Sequence, residues 1–330
     1  MNDALVGIDI GGTKIAIALA DLDGGLFARR RIPTRPDLGP GVALENICLS
    51  IEEMAAEADA SLSAIGVGCP GPLDIENGLV LSPANLRTWN RVPIVEKFRD
   101  HFGVDIVFDN DANAAALGEC IYGAGKGFRN VFYVTISTGI GGGIVLDGEV
   151  YHGVANGAGE VGHSIVKPDG IRCNCGSIGC LETICSGTHI ARRVQERVDS
   201  GEPSLLRDLV DGGAAPSGET LIEAVKQNDR AARELWDETC RYLAIGLGNA
   251  ITILAPDVLI IGGGISAAGD LLLEPLRESI PTYVSMIPAD RINIVPAALR
   301  EDSGLYGAVA LARSAPAVLS TLNAASVSQN

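Results

Sequence analysis

At 330 residues the chain exceeds the roughly 100–200 residues of one ordinary domain, and two lobes with a cleft between them are expected. Forty-one acidic against 25 basic side chains give a formal charge of −16, which opposes a phosphate backbone and speaks against nucleic acid as a partner. Aromatic residues make up 4% of the chain, no apolar run approaches the roughly 20 residues of a membrane helix, and Met1-Asn2-Asp3 lacks the basic and apolar stretches of a signal peptide; a cytoplasmic protein without a membrane partner is expected.

The opening segments 5–10 (LVGIDI) and 15–19 (IAIAL) alternate as strands joined through Gly11-Gly12, and GGLFARRRI starts a third strand after an Asp-Gly-Gly turn. Residues 41–58 carry apolar positions at helical spacing, 64–70 and 104–110 are apolar strands, and an Ala-rich helix follows over 112–121. This alternation of strand and helix predicts a parallel portion of the sheet. From residue 122 the pattern restarts: NVFYVTIS and GGIVLDGEVY repeat the opening hairpin, and further strands lie at 257–264 and 292–299. A helical stretch over about 229–254 runs into Pro256, a last helix is expected near 304–313, and the Ser- and Ala-rich residues 314–330 are expected to be a flexible tail.

The two hairpins share a feature that a bare turn does not need. Asp9 precedes Gly11-Gly12-Thr13-Lys14, and Ser137-Thr138 precedes Gly139-Ile140-Gly141-Gly142-Gly143. Glycine at a tight turn has a steric explanation, but glycines also let backbone N–H groups converge on phosphate oxygens, with Thr hydroxyls and a Lys as added donors. One hairpin from each lobe would grip a triphosphate, and Gly262-Gly263-Gly264 after an apolar strand would admit the nucleoside. Neither the P-loop nor the dinucleotide glycine pattern is present. Asp9 is placed to approach a nucleotide's Mg²⁺, or to stabilise its own turn. Asp111, between a strand and a helix, suits either an N-cap or a carboxylate that accepts a hydroxyl proton.

Four cysteines crowd into residues 173–185. His163 with Cys173, Cys175 and Cys180 supplies one imidazole and three thiolates, the count of a closed tetrahedral Zn²⁺ site, although Cys-x-Cys is tighter than the usual zinc knuckle.

In order along the chain, GIDIGGTK (7–14), GCPGP (68–72), NDANAA (110–115), STGIGGG (137–143) and CNCGSIGCLE (173–182) resemble the motifs of the ROK family of sugar kinases and repressors, over residues 5 to about 312. The resemblance implies a duplicated, actin-like (ribonuclease H-like) α/β fold with an interlobe cleft. It implies an N-terminal lobe of residues 1–121 joined by the helix near 304–313, and a C-terminal lobe of 122–303 carrying the zinc loop. It further implies ATP as phosphoryl donor and transfer to the 6-hydroxyl of a hexose, with Asp111 as the base. Sugar binding is carried over to Gly71, Asn85, Asn110, Asp111, Glu160, His163 and Glu182, and nucleotide binding to Asp9, Gly11, Gly12, Thr13, Lys14, Thr138, Gly139 and Gly262 to Gly264. The cysteine spacing is that of the family's structural zinc site, with Cys185 a bystander. A homodimer or larger homo-oligomer is expected on the same ground.

Residues 157–163 and 173–183 resemble bacterial glucokinases more than the amino-sugar kinases of the family, so glucose is the expected acceptor. N-acetylmannosamine, N-acetylglucosamine, mannose and fructose are alternatives. SPANLRTW (82–89) departs from many relatives in its first residue and in the spacing before Trp89. A sugar-sensing repressor is disfavoured, because those relatives carry a winged helix-turn-helix ahead of the first strand.

Overall fold

The computed structural model describes residues 2–327. The chain opens with β1 (Asn2–Ile10), β2 (Lys14–Ala20) and β3 (Leu26–Pro33), an antiparallel meander. β1 is buried almost throughout, as a strand covered on both faces must be, whereas β3 alternates between part-buried and exposed positions at the sheet edge. Helix α1 (Pro40–Glu57) starts with Pro in its first turn and leads into β4 (Ala60–Cys69), parallel to β1. Short strands β5 (Leu73–Asp74), β6 (Leu79–Val80) and β7 (Val92–Pro93) make a small separate sheet. Then follow α2 (Ile94–Phe102), β8 (Asp105–Asn110), parallel to β4, and α3 (Asp111–Tyr122). The sheet order is β3-β2-β1-β4-β8.

The pattern then begins again. β9 (Val131–Ile136) and β10 (Ile140–Leu146) form a second antiparallel hairpin, followed by the two-residue β11 (Glu149–Val150). The helices α4 (Glu182–Cys185), α5 (Gly187–Asp199), α6 (Leu205–Asp211), α7 (Gly218–Lys226) and α8 (Arg230–Leu254) come next. Asp229 caps α8 by accepting the Ala232 N–H at 2.8 Å, and the helix stops at left-handed Ala255, immediately before Pro256. β12 (Val258–Gly262), α9 (Asp270–Tyr283) and β13 (Ile294–Pro296) complete a sheet in which β10, β9, β12 and β13 are neighbours in that order, β12 parallel to both flanking strands. Last come α10 (Ser303–Arg313) and α11 (Pro316–Val327).

Two compact units result: residues 1–127, 148–156 and 298–330, and residues 128–147 and 157–297. In the first, one face of the sheet packs Val6, Ile8 and Ile10 against Leu44, Ile47 and Ile51 of α1 and Phe98 of α2. The other face packs Leu5, Ala18 and Ala64 against Leu305, Val309 and Ala312 of α10. In the second unit Phe132, Val134 and Ile136 of β9 pack with Leu243 and Leu247 of α8 and Leu272 and Leu276 of α9. The chain leaves the first unit after Gly127 rather than after residue 121, and residues 148–156 return to it.

One expectation is corrected. Residues 314–330 were expected as a flexible tail, yet Pro316–Val327 is helical, and Ala315 and Val318 are buried in the α10 cluster. Alanine is the best helix former and proline suits a first helical turn, so the composition that suggested fraying also suits a short helix with something to pack on. The remainder of that expected tail, residues 328–330, lies outside the described residues. Among the described residues no single helix is long and apolar enough to cross a membrane.

Candidate active site

In the first unit β1, β4 and β8 run parallel, with Asp9 level with Gly68 and Cys69 level with Asn110. Asp9, Gly71 and the Asn110-Asp111 pair therefore leave the sheet together at its carboxyl edge, the edge where such sheets present ligand-binding groups. Gly71 lies against Asn110: a Cβ built on it would stand 3.5 Å from Asn110 Nδ2. Asn110 is the N-cap of α3, its Oδ1 accepting the Ala112 N–H at 2.9 Å, and Asp111 Oδ1 accepts from the same N–H at 2.9 Å. The capping role weighed for Asp111 is thus carried mainly by its neighbour.

The first glycine turn is closed by Thr34, a buried residue that the sequence did not single out. Its hydroxyl donates to the Gly11 carbonyl at 2.6 Å and its N–H to the Thr13 carbonyl at 3.1 Å. Asn85 packs on this turn, since a Cβ at Gly12 would come within 2.9 Å of Asn85 Cβ. Asp9 lies over the first turn of α10, against Gly304. Burial, and next the Asp111 carboxylate, push Asp9 up to about 6, opposed by Lys14 and Arg31.

Asp109, the residue before Asn110, is 3% exposed. Its Oδ1 accepts the Asn110 N–H at 2.6 Å and Asn113 Nδ2 at 2.9 Å, and its Oδ2 lies 2.7 Å from His152 Nε2. That hydrogen bond raises the His152 pKa above its ordinary value, against the lowering effect of burial. Neither residue stood out in the sequence; the only signal is an acidic residue ahead of the Asn-Asp pair.

In the second unit the β9–β10 turn is held from two sides. Glu182 Oε2 accepts the Ile140 N–H at 2.9 Å, and Gly139 packs on the same carboxylate. From α5, the Gly187 N–H donates to the Ser137 carbonyl at 2.7 Å and the Thr188 hydroxyl to the Thr138 carbonyl at 2.8 Å. Glu182, expected at a sugar, thus also organises the second glycine turn. Part of the glycine tract has a packing cause as well: a Cβ on Gly142 would stand 2.5 Å from the Gly159 carbonyl, so the segment bearing Glu160 and His163 lies backbone to backbone on β10. Gly262 and Gly263 are similarly required by contact with Tyr133 and the Ile136 backbone, Gly263 with φ of 84°, while Gly264 faces open space.

His163, Cys173, Cys175 and Cys180 converge, with all four ligand atoms within 4.8 Å of one another. His163 Nδ1 lies 3.6 Å from Cys173 Sγ, and Cys175 Sγ lies 3.6 Å from Cys180 Sγ. A tetrahedron built on ordinary zinc bond lengths has S–N and S–S edges of about 3.6 and 3.8 Å, so the donor set fits a thiophilic tetrahedral cation. The other imidazole nitrogen, Nε2, is 3.8 Å from Glu160. Cys185 stands apart, its thiol directed to the Thr239 carbonyl at 3.4 Å.

The ROK family model matches residues 5–315. The chain belongs to the ROK family. Its ROK relatives include the glucokinase of Thermotoga maritima, 35% identical over 93% of this chain and 96% of that one. Among solved ROK structures, a hexokinase from Thermus thermophilus is 31% identical with a TM-score of 0.82, covering 97% of this chain and 99% of its own. A glucokinase from Streptomyces griseus, in complex with glucose and AMPPNP, is 32% identical with a TM-score of 0.78, covering 94% and 100%. The fold is accordingly the two-lobe, actin-like fold of ROK kinases.

Proposed function

We propose that this ROK protein is an ATP-dependent sugar kinase that transfers the γ-phosphoryl group to the 6-hydroxyl of glucose. The observation that carries the reading is the position of Asp111, at the carboxyl edge of the parallel strands beside Asn110, Gly71 and Asp9. Similarity to glucokinases over more than nine-tenths of the chain supports both the reaction and the acceptor.

In this reading Asp111 accepts the proton of the attacking hydroxyl, and Asn110 and Asn85 hydrogen-bond the sugar. Glu160 and Glu182 supply further acceptors, and Gly71 a backbone group. Specificity follows because a buried polar group left without its partner costs about 1–3 kcal/mol. The turns at Gly11, Gly12, Thr13 and Lys14 and at Thr138 and Gly139 present backbone and side-chain donors to the triphosphate, and Gly262 to Gly264 lie toward the nucleoside. Asp9 fits a nucleotide-borne Mg²⁺: it is a single carboxylate, raised in pKa by burial and by Asp111, whose charge a cation would balance. Mg²⁺, when bound, neutralises charge developing on the phosphates.

We further infer that His163, Cys173, Cys175 and Cys180 hold a structural Zn²⁺. Its chemistry is to stay closed and to fix the loop, while His163 directs its second nitrogen toward Glu160 and Cys180 anchors the chain two residues before Glu182.

The kinase reading is tested by ADP release with Mg²⁺ATP and a panel of glucose, mannose, fructose, N-acetylglucosamine and N-acetylmannosamine. Asp111→Asn is expected to lower kcat about 10²–10⁴-fold while glucose still raises the melting temperature of the variant. Wild-type turnover by Asp111→Asn, or no turnover of any sugar by the wild type, would sink it.

A further inference from the structure

Beneath the Asn110-Asp111 pair lies a buried carboxylate that phosphoryl transfer as described above does not use. Asp109 has both oxygens engaged: Oδ1 by the Asn110 N–H and by Asn113 Nδ2 in the first turn of α3, Oδ2 by His152 Nε2. The first two bonds fix the peptide entering Asn110 and the start of the helix that carries Asp111. The third fixes Asp109 itself. His152 reaches it from residues 148–156, which belong to the same unit and hold left-handed backbone at Gly153, Ala155 and Asn156. A carboxylate as buried as this one keeps its orientation only while its partners stay in place.

We infer that His152 is a positioning residue for phosphoryl transfer, setting the orientation of the Asn110-Asp111 turn through Asp109. The inference rests on the reading of Asp111 as the proton acceptor. It requires a hydrogen bond from position 152, which a neutral imidazole with its proton on Nε2 still donates, though more weakly than the charged ring. Glutamine at 152 carries an N–H at the matching reach; leucine carries none. Misplacement of a reacting group on the order of 1 Å is enough to cost about a hundredfold in rate, so the effect belongs in kcat rather than in sugar affinity.

The test is steady-state kinetics with glucose and Mg²⁺ATP on wild type, His152→Gln, His152→Leu, Asp109→Asn and the His152→Leu/Asp109→Asn double variant, each at matched folded concentration. His152→Leu is expected to lower kcat about tenfold or more with glucose KM within about threefold, and His152→Gln to recover kcat to within about threefold of wild type. The double variant is expected to be no slower than the slower single variant within about twofold, because both changes break one linkage. If His152→Leu does not fold, His152→Asn replaces it, since its amide is too short to reach Asp109 and the same loss is expected. The inference is overturned if these variants lose melting temperature but keep wild-type kcat, if His152→Gln is as slow as His152→Leu, or if the two losses multiply. A wild type that phosphorylates no hexose, or an active Asp111→Asn, instead overturns the kinase reading beneath it.

Discussion

Asp9 stands at the end of β1 with its carboxyl lifted to about 6 by burial and by Asp111. A carboxyl whose folded pKa lies above its ordinary 3.8 holds its proton more tightly in the fold than in the unfolded chain. Stability therefore falls as pH rises between these two values, and the cost is complete above the upper one. Asp9→Asn removes that cost: its melting temperature without ligands is expected to exceed wild type by about 2 °C or more at pH 8, the gap closing near pH 4, while stabilisation by Mg²⁺ATP is lost. A variant less stable than wild type at pH 8 would contradict this. His152 has the opposite sign. Its folded pKa is raised by Asp109, so its contribution is whole below about 6.5 and is lost as pH climbs through the folded value. Thermal melts of His152→Gln are expected to lack that alkaline decline.

At the scale of elements, the segment from Ser164 to Cys180 has little ladder of its own: two isolated bridges, Ile165 with Cys180 and Arg172 with Ile178, are the pairings found among the described residues. Of the four metal-ligand candidates Cys173 and Cys180 are buried, His163 is part-buried and Cys175 is exposed, and a bound cation would tie them together. Cys180→Ser, or extraction with a strong chelator, is expected to remove about one zinc per chain, lower the melting temperature and raise the glucose KM about tenfold or more. Zinc loss with an unchanged KM would show that the metal does not organise Glu160 and Glu182, the carboxylates proposed to bind the sugar. Cys185→Ala is expected to leave the zinc content intact, because its thiol points to the Thr239 carbonyl.

Across the whole molecule, the same strand connectivity is used twice: a hairpin whose first strand pairs in parallel with the next strand of its sheet, which in turn pairs in parallel with the last. The chain closes the first unit only at its far end, where α10 covers one face of the opening sheet and packs on α3. Nearby, Glu119 of α3 is fully buried and accepts from the N–H groups of Ala298 and Leu299 and from the Ser303 hydroxyl, tying the returning chain to the unit. Ending the chain after Asp302 is expected to abolish folding of the first unit. Ending it after Ala315 removes only α11 and is expected to lower the melting temperature by about 2–4 °C. Circular-dichroism melts of the two truncations separate these outcomes; a folded 1–302 chain would refute the first.

Local pattern alone determined the two glycine hairpins, the parallel strands and the long helix that halts at Pro256, because each is written in contiguous residues whose period or chemistry is specific; one histidine and three cysteines supplied the ligand count of a zinc site, and the fold brings them together. Asn110-Asp111 at a strand-to-helix junction was legible for the same reason. Only the tertiary structure decided what surrounds them. Asp109 with His152, Thr34 with the first turn, Glu182 with Ile140, and Glu119 with Ala298 pair residues between 23 and 179 positions apart. No periodicity marks one buried polar residue as the partner of another. Part of the second glycine tract also exists so that β10 and the Gly159 segment can touch, a requirement set by packing between distant backbones and invisible to either segment by itself.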